Sequence, residues 1–181
     1  MASVNHQNPD SLPMDLGSNV SAGISGMAYG KLKEYLGITT GHNRIYDVVQ
    51  QVAQPEIQVL DIIGADVLDV GRVFNTEDSN WYDVTLSNGV AAQWPGWFRP
   101  RHNKDGSYEY FDCEGTLIAK MPNGGMCFDQ QYFPYKEDYP KTTMIWIKRW
   151  ERLSGVLWFT VHGIIPTKNI SGKHFVRDVL Y

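Results

Sequence analysis

Four short turn motifs between residues 87 and 125 constrain the fold of this chain more than any other feature. Each places a glycine beside residue types that favour tight turns: Ser87-Asn88-Gly89, Lys104-Asp105-Gly106, Cys113-Glu114-Gly115 and Asn123-Gly124-Gly125. Asn-Gly between alternating apolar and polar residues is the strongest short-range indication of a β-hairpin. The sequence therefore predicts an antiparallel β-meander over residues 82–130.

The residues before the meander predict an α/β organisation. Apolar segments at Leu12–Leu16 and Asp66–Gly71 are predicted strands. Three helices are predicted between them: one capped by Ser21 or Ser25 and ended by Gly37, one with Ile45, Val48, Val49 and Val52 on one face, and one from Pro55 to Gly64. A strand, helices and a second strand make up the βαβ unit of a parallel sheet.

Charge and length exclude several classes of protein. The net charge is −4 without a block of Lys or Arg, which argues against nucleic acid and anionic membranes as partners. With two cysteines, no secretory signal and no long apolar run, the chain is expected to be cytoplasmic. A complete (β/α)₈ barrel needs roughly 200–250 residues, and this chain has 181.

The charge changes sign near residue 140. Residues 1–140 hold 9 Lys and Arg against 18 Asp and Glu, for a net charge of −9. Residues 141–181 hold 7 Lys and Arg against 2 Asp and Glu, for a net charge of +5, and contain three of the six tryptophans. A change of this kind indicates a boundary.

Charged side chains at the ends of the two predicted strands are the main candidates for a site. Asp15 and Asp69 lie near these ends, together with Asp66 and Arg72. A carboxylate there could bind a substrate or act as an acid or base. The alternative is that these residues cap helices and lie in surface turns.

Other motifs are weaker. The glycines at positions 17, 23, 26 and 30 give neither a phosphate loop nor a nucleophile elbow. Cys113, Cys127 and His102 lack the spacing of a zinc site, so no metal is expected in this chain. The aromatic group Trp94, Trp97 and Phe98 could line a ligand surface, although packing against a neighbouring layer is the more common role.

Three stretches, in this order and spacing, resemble the uroporphyrinogen decarboxylase-like superfamily. They are NHQNPDSLPMDLGSNVSAGISGMAYGKLKEYLG, RIYDVVQQVAQPEIQVLDIIGADVLDVGRVFN and GTLIAKMPNGGMCFDQQYFP, within Asn5 to about Pro140. The resemblance implies a TIM barrel with decarboxylase (lyase) or corrinoid-linked methyltransferase activity. The segment Met14–Asn19 lacks the arginines of the haem-pathway decarboxylases, which favours the methyltransferase branch.

The resemblance also implies a site and its partners. It places Asp15, Asn19, Asp69 and Arg72 at substrate-binding positions and assigns no catalytic residue. A full-length methyltransferase relative would use zinc and a corrinoid protein partner, but the zinc ligands belong to a later part of the barrel. No zinc ligand can therefore be assigned in this chain.

These observations predict an incomplete amino-terminal part of a TIM (β/α)₈ barrel over residues 1–140, with the β-meander as an insertion at 82–130. Residues 141–181 form an atypical tail, and we take as a hypothesis that it is translated out of frame; the alternative is a divergent carboxyl terminus. Such a fragment is expected to be inactive alone. Two other possibilities are a non-enzymatic α+β ligand-binding module and one half of a split enzyme.

Overall fold

The computed structural model describes residues 2–69, 77–133 and 136. Two α-helices lie within them, α1 (Gly26–Tyr35) and α2 (Ile57–Ile63). The same residues contain nine strands: β1 (Ile24–Ser25), β2 (Ile45–Asp47), β3 (Val52–Ala53), β4 (Trp81–Thr85), β5 (Ala91–Pro95), β6 (Arg101–His102), β7 (Tyr108–Phe111), β8 (Leu117–Met121) and β9 (Asp129–Gln130).

The strands of the described residues form three sheets. Their orders are β1-β3-β2, β4-β5 and β6-β7-β8-β9, and every pairing between these strands is antiparallel. In the β4–β5 hairpin Tyr82 lies opposite Trp94, and Gly89 in the connecting turn has a φ of +83°. The hairpin predicted around Asn88-Gly89 is therefore present.

Both helices begin and end where local chemistry favours it. The Ser25 side chain accepts a hydrogen bond from the Ala28 amide at 3.3 Å, so of the two predicted caps Ser25 is the one that begins α1. Helix α2 follows Pro55 and ends at Gly64, which adopts the left-handed conformation with a φ of +71°. Its buried side, Val59 and Leu60, faces the core.

The helix predicted from Ile45 to Val52 is wrong, because these residues form β2, a turn and β3. The Asp47 side chain accepts hydrogen bonds from the amides of Val49 and Gln50, both at 2.9 Å, which folds the backbone into a turn. The apolar residues of this segment are largely β-branched and also favour strands. Their spacing fitted a helix, but the turn at Asp47 pairs β2 with β3 instead.

The predicted TIM-barrel fragment is also wrong. A parallel barrel needs helices alternating with strands, since parallel neighbours require long crossover connections. The described residues instead contain two short helices and antiparallel sheets joined largely by tight turns. This architecture provides no evidence for the methyltransferase or lyase activity expected with the barrel.

The two segments predicted to be parallel strands of the barrel do not form strands in the described residues. Neither Leu12–Leu16 nor residues 66–69 form a strand, and residues 70 and 71 lie outside the described ranges. The segments nevertheless touch: the Asp66 amide donates to the Met14 carbonyl at 2.8 Å, and the Met14 amide donates to the Asp66 side chain at 2.9 Å. This contact does not extend into a ladder within the described residues.

One apolar core joins the helices and the sheets. Trp94 of β5 lies near its centre, with edge-on aromatic contacts to Tyr82, Phe98, Tyr108 and Phe128 at centroid distances between 5.3 and 6.3 Å. Edge-on pairs of this kind add about 0.5–1.5 kcal/mol each beyond the apolar area they bury. These contacts hold the strands of the meander together. The meander is joined to the amino-terminal residues by the Trp94 indole N–H, which donates to Gln51 Oε1 at 2.9 Å, and by the Phe128 amide, which donates to the Val49 carbonyl at 2.8 Å.

A row of charges crosses the outer face of the third sheet. Arg101, Glu109 and Lys120 lie directly opposite one another on β6, β7 and β8. Glu109 makes ion pairs with Arg101 and, at 3.2 Å, with Lys120. Hydrogen bonds from Arg101, Asn103 and Lys120 lower the pKa of Glu109 to about 2.

We expect this row of charges to make the free energy of unfolding depend on pH. Because the pKa of Glu109 is lower in the folded state, its contribution is present above the ordinary value of 4.5 and is lost as the pH falls towards 2. Glu109→Gln should therefore flatten the decline in the free energy of unfolding between about pH 5 and about pH 2.5, measured by urea unfolding. Asp61→Asn, at an exposed position on α2, is the control; equal slopes for wild type and Glu109→Gln would contradict the assignment.

Candidate functional site

Two of the residues predicted to bind substrate, Asp15 and Asn19, both contact Ser18 in the described structure. Asp15 accepts hydrogen bonds from the amide and the hydroxyl of Ser18, and Asn19 caps a 3-10 turn through the amides of Ser21 and Ala22. Asp69 lies at the end of the first described range, and Arg72 lies outside the described residues. Asp15 and Asn19 thus stabilise the loop in which they lie, and their role in substrate binding stays a prediction.

A cleft of about 580 Å³ lies elsewhere, between α1, the loop of residues 38–43 and the β4–β5 hairpin. Small-molecule sites commonly measure about 300–1,000 Å³. Its apolar lining includes Ile38, Val90 and Ala92, and its polar lining includes Lys33, Glu34, His42, Asn43, Asp83 and Gln93.

An ion pair between a buried lysine and a partly exposed glutamate holds the loop that forms one wall of this cleft. The Lys33 ammonium pairs with Glu56 and also donates to the carbonyls of Thr40, at 2.7 Å, and His42, at 3.4 Å. The other Glu56 oxygen accepts the His42 amide at 2.7 Å. The pair thus fixes three backbone groups of the loop at once.

Two neighbours complete this network. The Tyr29 hydroxyl accepts the Glu56 amide at 2.8 Å and donates to the Glu56 carboxylate at 3.4 Å, and burial raises the pKa of that hydroxyl. Gly41 has a φ of +73°, and a Cβ at this position would lie 1.9 Å from the nearer Glu56 oxygen. Only glycine therefore lets the loop approach the carboxylate this closely.

Asn43 connects the two main walls of the cleft. Its side-chain amide donates to the carbonyls of Gly26 on α1, at 2.9 Å, and Ala91 on β5, at 3.2 Å. The residue is 8% exposed, and its Oδ1 has no hydrogen-bond partner among the described residues. A buried acceptor left unpaired is costly, so this oxygen is a point where a donor would be stabilising.

A chain of polar contacts runs along the outer rim. Asp83 accepts a hydrogen bond from the Gln93 side-chain amide at 2.9 Å, and the Gln93 side-chain oxygen accepts one from Arg44 at 3.2 Å. Arg44 also pairs with Asp78, whose carboxylate lies 3.7 Å from His42. These contacts position Asp83 beside the cleft while leaving it exposed.

The aromatic group that could have lined a ligand surface is packed instead. Trp94 and Phe98 are 3% and 1% exposed, and Trp97 lies edge-on against Phe98. Among the described residues, no three His, Cys, Asp or Glu side chains are grouped to hold a metal ion. The cleft is the concave site that we take as the candidate in this part of the chain.

The sequence analysis missed Lys33, Asn43 and Glu56. One local indication existed, since Lys33 lies four residues after Tyr29 and so on the same face of α1, which is otherwise partly apolar. Glu56 and Asn43 carry no such mark, because their partners are distant in the sequence.

No family model, curated protein or solved structure matches this chain. The resemblance to the uroporphyrinogen decarboxylase-like superfamily consequently remains a prediction. No helix in the described ranges has the length and apolar character needed to cross a membrane.

We expect the Lys33–Glu56 pair to be more important for the loop than for net stability. Glu56→Gln leaves a buried ammonium without a countercharge and should destabilise the protein by about 3 kcal/mol. The double variant Lys33→Met with Glu56→Gln removes both charges and should be more stable than Glu56→Gln alone. The free energies of unfolding of wild type, both single variants and the double variant are measured with urea; a double variant no more stable than Glu56→Gln would contradict this expectation.

Proposed function

We propose that this chain is a non-enzymatic module that binds a small organic molecule in the cleft between α1, the loop of residues 38–43 and the β4–β5 hairpin. The observation that carries the proposal is the Lys33–Glu56 pair, which holds the cleft loop through the carbonyls of Thr40 and His42 and the His42 amide. A wall fixed before the ligand arrives lowers the entropy cost of binding.

The composition of the cleft supports the same proposal. Apolar side chains combined with a few polar groups at defined positions are typical of small-molecule sites. Glu34 and Asp83 are exposed at the rim, while Ile38 and Ala92 are buried below them. A ligand with a short apolar part and a polar end matches this arrangement of polar groups at the rim and apolar groups below it.

Filling the cleft should abolish binding without unfolding the protein. Ala91 is exposed and lines the cleft, so Ala91→Trp adds bulk where the ligand would lie. Its backbone carbonyl remains available to Asn43. In NMR titrations with small alcohols, amines and carboxylates, we expect saturable shifts of the lining amides in wild type and at least a tenfold weaker response in Ala91→Trp.

Cys113→Trp is the matched control, because Cys113 is exposed in the turn between β7 and β8 and does not line the cleft. It should bind as wild type does. Failure of every compound to shift the lining amides of wild type would rule out the proposal, as would equal binding by Ala91→Trp.

A second candidate function is that these residues form an antiparallel portion of a larger enzyme of the uroporphyrinogen decarboxylase-like superfamily. The favouring observation is the contact between Met14 and Asp66, which lie in the two segments that the resemblance makes neighbours. Exposed Leu12, Met14, Val67 and Leu68 accompany this contact. Another polypeptide or further sequence would cover them and supply the catalytic residues, including any zinc site or corrinoid partner.

Resequencing the gene across the codons for Pro140 to Tyr181 and beyond tests this candidate. A missing or extra base, with a neighbouring frame that continues the family sequence, would support it. An intact frame without such sequence would rule out a truncated enzyme and leave the binding module as the leading candidate.

We also propose a cytoplasmic location. Both cysteines lie in the described residues, and both are free and exposed. Exposed unpaired thiols are typical of reducing compartments.

A further inference from the structure

The hydrogen-bonding groups of the cleft are divided unevenly between donors and acceptors. The ammonium of Lys33 has three N–H donors, and it contacts three oxygens, those of Glu56, Thr40 and His42. The two N–H groups of the Asn43 side chain contact the carbonyls of Gly26 and Ala91. The strongest donors of the lining are therefore already engaged within the protein.

The acceptors are open by contrast. The Glu34 carboxylate makes no hydrogen bond or ion pair within the described residues, and the Asp83 carboxylate is bonded to Gln93 alone among them. Both residues line the cleft. A ligand that pairs with this lining must bring donors.

The charges of the lining favour the same kind of ligand. Glu56 neutralises Lys33, and Asp78 pairs with Arg44 beside the rim. Glu34 and Asp83 then remain as two carboxylates without a cationic partner among the described residues. The potential in the cleft is consequently negative.

We propose that the ligand of this cleft is a small organic amine, with its ammonium group between Glu34 and Asp83 and its apolar chain against Val90 and Ala91. An ammonium group carries three donors, no acceptor and one positive charge, which matches the open groups of the lining. This inference rests on the proposed binding function and specifies its ligand class.

Three probes with the same four-carbon chain isolate the contribution of the head group. Butylammonium, 1-butanol and butyrate are titrated separately into the full chain at low salt, and the amide shifts of residues lining the cleft are followed by NMR. We expect butylammonium to bind more tightly than 1-butanol, and butyrate to bind least tightly. Raising the salt concentration should weaken the binding of butylammonium and leave that of 1-butanol unchanged.

Two conservative variants test the carboxylates. Glu34→Gln and Asp83→Asn keep the size of each side chain, and the amide oxygen introduced by Asp83→Asn can still accept the hydrogen bond from Gln93. Each should weaken butylammonium binding about two- to fivefold, the range for exposed ion pairs, without changing the binding of 1-butanol. Asp129→Asn, on the far edge of the third sheet, is the charge-matched control and should have no effect.

The outcomes separate this inference from the function on which it rests. Binding of 1-butanol or butyrate as tight as that of butylammonium would overturn the amine proposal while the binding function stands. Butylammonium binding that neither Glu34→Gln nor Asp83→Asn weakens would also overturn it. If none of the three probes shifts the lining amides, the binding function itself fails, and the amine proposal fails with it.

Discussion

The described structure depends on one buried residue, Gln51. Its backbone carbonyl accepts the amide of Gly26 at the start of α1 at 2.8 Å, and its side-chain Oε1 accepts the indole N–H of Trp94 on β5 at 2.9 Å. The residue has a φ of +55°, a conformation that costs about 1–3 kcal/mol outside glycine and persists where the surroundings require it. Because Gln51 links the β2–β3 connection to both α1 and β5, it sets the separation of the two elements that form the walls of the cleft.

Local chemistry explains which parts of the fold could be predicted from the sequence. Asn88-Gly89, Ser25 and Gly64 each act on the backbone within a few residues, and each begins or ends an element where the pattern indicated. The segment from Ile45 to Val52 is ambiguous by comparison, because its apolar spacing suits a helix while its β-branched residues suit strands. There the side chain of Asp47 decides the outcome, and its effect on the turn outweighs the periodicity.

The candidate site was less predictable than the fold, since it is made by contacts between distant residues. Lys33 and Glu56 are separated by 23 positions, and Asn43 reaches Ala91 across 48. No spacing rule connects such pairs before the chain is folded. Asp15 and Asn19 were chosen from strand ends and from a family resemblance, but both stabilise the turn in which they lie. A polar side chain beside a glycine is thus as well explained by turn geometry as by substrate binding.

The binding module and the larger enzyme make different demands on the chain, so one can be true without the other. The cleft needs α1, the Lys33–Glu56 pair and the β4–β5 hairpin, and all of these lie in the described residues. The proposed enzyme would use Arg72, which lies outside them, and the family resemblance assigns no catalytic residue in this sequence. The cleft also retains its excess of acceptors whatever covers the exposed residues near Met14 and Asp66. Its preference for a donor-rich ligand therefore follows from the packing of α1 against β5, and it would persist if the chain were part of a larger assembly.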